Sequence, residues 1–242
     1  MEKLVYLLWN QTGRADEAQA ANLLGPVADA LRTLELTGLS MDIADDAAAA
    51  VNLPLPPPPD DPSPFALVSI WLDCHDDRAA VEAVLAPVAD RLAGYLVTES
   101  IPTEYGDNQW AAARSWSDGD RSPGVVMLTL MEQPDRMSAD DWYVHWYGVQ
   151  TPMSTEIQPR IRYVRNAVAR PLTPDAPPYR GIVEEAWPSA ETVNDPMAFY
   201  LADGDDALLA QNMNTMMTSV GAFLDFDRIR LAAMSEYLLK TP

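Results

Sequence analysis

Leu4-Val5-Tyr6-Leu7-Leu8-Trp9 and, 62 positions later, Ala66-Leu67-Val68-Ser69-Ile70-Trp71 are two short apolar runs that each end in tryptophan. Their length and their β-branched and aromatic content read as strands. Each is followed by a stretch expected to be helical. Both stretches contain the same string, Pro26-Val27-Ala28-Asp29-Ala30-Leu31 and Pro87-Val88-Ala89-Asp90-Arg91-Leu92, 61 positions apart. A second short apolar segment comes next, around 36–43 and around 94–101, so the order is strand–helix–strand, twice. Between the copies lies LPLPPPPDDPSP (53–64). Proline removes the amide donor and fixes φ, so this segment is expected as a stiff, extended connector rather than helix or central strand.

Two tandem βαβ units with right-handed crossovers predict a four-stranded antiparallel sheet with both helices on one face, the ferredoxin-like arrangement. The first domain is thus expected over 1–106, with the polar stretch 107–123 as a connector. The second half, 124–242, repeats the rhythm with different residues. Val125–Met131 reads as a strand buried on nearly both faces. Ser138 is an N-cap with Asp140 and Asp141 in the first turn of a helix to about Glu156. Arg160–Arg170 alternates charged and apolar residues as a half-buried strand, and Tyr179–Trp187 is a further strand. Helical segments run from Ser189 to about Met217, and a last strand is expected to begin at Phe223.

Composition bounds the function. The 242 residues carry 36 acidic and 16 basic side chains, a formal charge of −20 and a pI near 4.2. Such a chain is repelled by nucleic-acid phosphates and anionic lipid, so neither is expected as a partner. No run of about 18 apolar residues predicts a membrane helix, and the first residues do not read as a signal peptide. One cysteine, Cys74, excludes an internal disulfide framework and fits a reducing cytoplasm. The paired aspartates have no ligand spacing, and only two histidines exist, so no metal or organic cofactor is expected. Residues 1–123 hold 20 acids and 7 bases (net −13), while 124–242 hold 16 and 9 (net −7). The less acidic second half is where a ligand is expected, with Arg160, Arg162 and Arg165 offsetting the charge locally.

The chemistry-bearing residues concentrate in DDWYVHWYGVQTPM (140–153). At 3.6 residues per turn, Trp142, Trp146, Val149, Gln150 and Met153 share one face. Trp142, Val149 and Met153 are expected to pack against the sheet. Gln150 is harder to assign to packing, because a buried amide needs hydrogen-bond partners. His145 faces about 140° away from it at a helical 100° per residue.

Trp146-x-x-x-Gln150-x-Pro152 after a strand, Pro134, Ser138 and Trp142, followed by Arg162-Tyr163-Val164-Arg165-Asn166, resembles the core of the EthD-domain family over about residues 124–190. That family is a branch of the dimeric α+β-barrel superfamily, whose ferredoxin-like subunits pair sheet to sheet. The resemblance, together with a length about twice that of a single-domain relative, implies an intrachain α+β barrel, either monomeric or further dimerised. It implies a cofactor-free enzyme of small-molecule catabolism or polyketide-type metabolism, a dehydratase, cyclase or oxygenase, acting on an apolar, cyclic or aromatic substrate. Trp142, Trp146, Tyr163 and Asn166 are the expected substrate contacts. Gln150 and His145 are the catalytic candidates.

Gln150 stands where the family usually carries histidine. A glutamine has no ionisation near neutral pH, so it orients oxygen rather than moving protons. The alternative is a non-catalytic ligand-binding protein of the same fold. A cavity of about 300 Å3 or more near Gln150 favours the enzyme, and a closed, fully packed sheet–helix interface there excludes it. Elsewhere, Cys74-His75 at a strand-to-helix junction reads as a capping turn, since adjacent strand residues point apart. Tyr6 and Trp9 are further candidates for a sheet-facing cavity. Met213, Met216, Met217 and Met234 suit core packing and apolar pockets alike.

Overall fold

The computed structural model describes residues 1–58 and 61–242. Eight strands close into one antiparallel barrel in the order β1-β3-β2-β8-β5-β7-β6-β4. They are β1 (Glu2–Trp9), β2 (Gly38–Ile43), β3 (Ala66–Leu72), β4 (Arg91–Thr103), β5 (Val125–Glu132), β6 (Arg162–Pro171), β7 (Tyr179–Trp187) and β8 (Arg230–Lys240). Within the first half the order is β4-β1-β3-β2, and within the second β8-β5-β7-β6. The halves are sealed by β2 on β8 and β4 on β6. The two apolar runs that open the sequence are β1 and β3, hydrogen-bonded neighbours with Tyr6 opposite Val68.

Strand alternation sorts the side chains into three apolar regions. On β1, Leu4, Tyr6 and Leu8 face outward against α1 (Glu17–Asn22), α2 (Ala28–Arg32) and α3 (Ala79–Leu85). Val5, Leu7 and Trp9 face into the barrel with Leu128, Ile182 and Met234. The third region covers the outside of the second half. There Met127, Trp187 and Leu231 meet Trp142, Trp146 and Phe223, carried by α4 (Ala139–His145), the turn after it, and α8 (Asp206–Phe223). No helix among the described residues is long and apolar enough to cross a membrane.

One end of the barrel interior is charged. Lys3 Nζ reaches Glu99 Oε1 at 2.7 Å and Glu184 Oε1 at 3.5 Å. Arg162 bonds Glu236 at 2.7 Å and Glu104 at 2.8 Å, and the Tyr105 hydroxyl donates to Glu236 at 2.8 Å. Burial opposes ionisation of Glu184, but Lys3 and Arg162 hold it below its ordinary range. Asp42 lies among them, fully buried, with neither carboxyl oxygen partnered among the described residues.

The structure departs from the sequence reading at several points. The string at Pro87 is not equivalent to that at Pro26. Pro26 sits inside a π-helical turn (Leu23–Val27), whereas Pro87 closes a helix and Arg91-Leu92 already belong to β4. The helix from Ser138 is broken by a second π turn, Trp146–Gln150, before α5 (Thr151–Ile157). Its extra residue rotates the helical face by about 100°, so Val149 is 45% exposed instead of packed on the sheet. The last strand starts at Arg230; Phe223 ends α8. The proline segment is more than a spacer, since Leu53 and Leu55 pack on the second half. Residues 59–60 of that expected connector lie outside the described residues.

Candidate functional site

A cavity of about 300 Å3 opens between the outer face of the second half's sheet and its helices. β5 contributes Met127 and Thr129, and β7 Val183, Glu185 and Trp187. The π turn contributes Trp146 and Gln150, α8 Met216 and Phe223, and the proline segment Pro54 and Leu55. The π turn is anchored by Thr151, whose amide and hydroxyl both donate to the Trp146 carbonyl, the hydroxyl at 2.9 Å. An i→i+5 bond of this kind widens the helix and leaves Gln150 half-buried over the cavity.

Asn194 holds the proline segment in place. Its Oδ1 accepts from the Asn52 amide at 2.8 Å, and its Nδ2 donates to the Ala50 carbonyl at 2.8 Å. Asn194 belongs to α6 (Ala190–Asn194), capped by Ser189 and followed by α7 (Pro196–Phe199), whose Phe199 also lines the cavity. The segment thus forms one wall of a cavity whose other walls lie some 70 or more residues further along the chain.

Few polar groups face this space. Gln150 Nε2 donates to Met216 Sδ at 3.2 Å, a weak acceptor. Gln150 Oε1 is buried and unpartnered among the described residues, as is Trp187 Nε1. The Trp146 indole donates to the Tyr163 hydroxyl at 3.2 Å, which lies 3.4 Å from Thr151 Oγ1. Burial first, and then the Glu185 charge, raise the Tyr163 phenol above its ordinary range, so it stays neutral. Glu185 pairs with Arg160 at 2.6 Å. The Arg160 guanidinium also takes Ser154 and Thr155 and lies 4.1 Å from the Tyr163 ring centre.

The structure brings three of the six sequence-derived candidates to the cavity: Gln150, Trp146 and Tyr163. Trp142 is fully buried behind them, its ring 5.0 Å from Trp146. His145 is outside; its Nε2 shares a hydrogen bond with Ser219 Oγ at 3.1 Å, and its ring stacks on Phe223 at 5.0 Å. Asn166 is a correction. Three residues after the outward Tyr163 on the same strand, it faces the barrel interior, where its Nδ2 donates to Glu184 at 2.7 Å. Tyr6 and Trp9 also lie away from the cavity, on the first half's helix side and in the barrel.

The arginines expected to offset charge near a ligand are committed elsewhere, Arg162 inside the barrel and Arg160 on Glu185. Arg165 donates to Ser100 and Thr151 and lies over Tyr147 at 4.0 Å. Sequence reasoning missed Glu185 and Trp187, although both occupy outward positions of a correctly placed strand. Their alternation, Val183-Glu185-Trp187, was the available signal.

The fold defines the class: a closed, eight-stranded antiparallel α+β barrel. No family model matches the chain, and no curated protein sequence matches it. Among solved structures, it is similar to a crystal structure of an anthrone oxidase-like protein. The match covers 99% of this chain and 94% of that one, with a TM-score of 0.55 and 10% sequence identity. At that identity the likeness is one of fold.

Proposed function

We propose that the cavity beside Gln150 binds an apolar, cyclic or aromatic small molecule, and that the chain is an EthD-like enzyme acting on it with its own side chains. The observation that carries this is the unpartnered Gln150 Oε1 at a largely apolar cavity, because a buried acceptor without a donor costs about 1–3 kcal/mol. A substrate hydroxyl or amide removes that cost. Trp146 and Tyr163 give the ring a flat, polarised wall, and the adaptable Met127 and Met216 fill around it. A volume of about 300 Å3, at the small end of ligand pockets, suits a compact ring system. The anthrone oxidase-like fold neighbour supports an enolisable aromatic ring ketone as the first compound to try, its enol hydroxyl being the donor that Gln150 Oε1 lacks. Dehydration, cyclisation and oxygenation are the reaction classes to assay.

In this reading, 1–106 and 124–242 are tandem ferredoxin-like domains joined by 107–123, and the chain works as a monomer or as a homodimer of such barrels. The test is a titration of the full chain with ring ketones and phenols, anthrone first, followed by tryptophan fluorescence and product mass. Saturable binding that weakens in Gln150→Ala, with turnover, supports the proposal; binding and turnover indifferent to Gln150→Ala overturn it.

A second reading is a binding protein of the same fold. It is favoured by one observation: Glu185 is tied to Arg160, Tyr163 is neutral and Gln150 cannot titrate. Saturable binding without turnover selects it.

A further inference from the structure

On the first half of the barrel, Glu2, Cys74 and His75 bring a carboxylate oxygen, a thiol sulfur and an imidazole nitrogen within 4.8 Å of one another. Among the described residues this is the one such group of three. The register of β1 and β3 creates it: Glu2 pairs with Leu72, two residues before Cys74, so the start of one strand meets the end of its neighbour. Glu2 Oε2 accepts from the His75 amide at 2.7 Å and lies 2.8 Å from His75 Nδ1.

We propose that Glu2, Cys74 and His75 form a site for a borderline-soft divalent ion of the zinc type. One sulfur, one nitrogen and one oxygen donor match that class, and hard ions such as Mg2+ and Ca2+ prefer oxygen alone. Three protein ligands leave the fourth tetrahedral position open to solvent. The His75 amide fixes the Glu2 carboxylate in advance. With Nδ1 on the metal beside Glu2, the other imidazole nitrogen faces the Asp76 carboxylate, 3.6 Å from Nε2. Such a partner orients a ligating histidine.

A cation competitor is present, since the Arg170 guanidinium meets His75 Nε2. Asp76, 3.6 Å from His75 Nε2, offsets part of that charge. Arg170 is exposed and free to swing away when a metal ion arrives.

The test titrates the full chain, reduced and metal-free, with Co2+, whose thiolate bond gives an intense near-ultraviolet band, and then displaces it with Zn2+. One equivalent of Co2+ with that band is expected. Cys74→Ser loses the band, and His75→Ala and Glu2→Gln each weaken binding about tenfold or more. Arg170→Gln binds more tightly. No band, a band unchanged in both His75→Ala and Glu2→Gln, or equal affinity in Cys74→Ser overturns the site. All four positions lie at the surface or half-buried, so the variants keep the fold.

Discussion

Asp42 and Glu236 stand directly opposite one another in the β2–β8 ladder, both with side chains inside the barrel. Like charges opposed across a ladder repel, and Glu236 is paired with Arg162 and accepts from the Tyr105 hydroxyl. Burial first, and then Glu184 and Glu236, push the Asp42 acid well above its ordinary range. Unfolded, it titrates near 3.9. Above about pH 4 the folded chain therefore holds a proton that the unfolded chain has lost, and stability falls as pH rises until the folded pKa is passed. Asp42→Asn, a mimic of the neutral acid, is expected to resist urea better than the parent at pH 8. Its advantage shrinks toward pH 4 by at most about 1.4 kcal/mol per pH unit. A pH-independent difference would mean that Asp42 is ionised in the fold.

Gly181 seats the Trp146 indole of the cavity wall and the Trp142 indole behind it. A Cβ there meets Met131 Cε at 2.5 Å, Trp146 Cη2 at 3.0 Å and Trp142 Cη2 at 3.1 Å. Gly181→Ala is expected to destabilise by about 1–3 kcal/mol through overpacking. It also pushes Trp146 toward the cavity, so ring ligands bind more weakly. Urea unfolding and ligand titration on the same sample check both.

Arg160 is nearly fully buried and serves Glu185, Ser154, Thr155 and the face of Tyr163. Arg160→Met leaves Glu185 without its countercharge and is expected to cost about 3 kcal/mol. Arg160→Lys restores only part of this, because an ammonium cannot span the same fork of acceptors. Chemical denaturation ranks the three.

Asn194→Ala removes both bonds that hold residues 50–52. The global stability loss is small, about 1 kcal/mol for two exposed bonds. The local effect is larger: faster amide exchange over 50–55 and a weaker grip on any ligand against Pro54 and Leu55. Exchange mass spectrometry resolves that segment, and unchanged protection there would separate the wall from its Asn194 anchor.

Gln150→Ala is expected to raise the Kd for a ring ligand roughly fivefold, the equivalent of about 1 kcal/mol for one hydrogen bond. Folding stability holds or rises, because truncation removes a buried unpartnered oxygen and loses only one bond to sulfur. Isothermal titration and thermal melts together distinguish a lost contact from a lost fold.

The strands were legible because β1, β3 and β5 are strongly apolar runs with clear borders, and Tyr179–Trp187 matches its strand end to end. Helical phase was not. Periodicity assumes 3.6 residues per turn, and the Thr151–Trp146 bond inserts a residue that no pattern of apolar positions announces. That one turn separates Gln150, which reaches the cavity, from Val149, which does not. The strand assignment carried the means to exclude Asn166, since an odd offset from Tyr163 selects the opposite face. Pro54 and Leu55 were hidden for another reason: an extended proline segment has no period, so its burying side is decided only by the surface it crosses.

In a barrel assembled from two identical chains, every substitution appears twice, once on each side of a symmetry axis. Here β2 meets β8 and β4 meets β6 within a single polypeptide, so each change appears once. The first half is released from keeping a cavity that the second half keeps, and its outer face is filled instead by Leu23, Leu31 and Leu85. Continuity of the chain replaces symmetry as the force that keeps the two sheets together, and each half is free to change on its own.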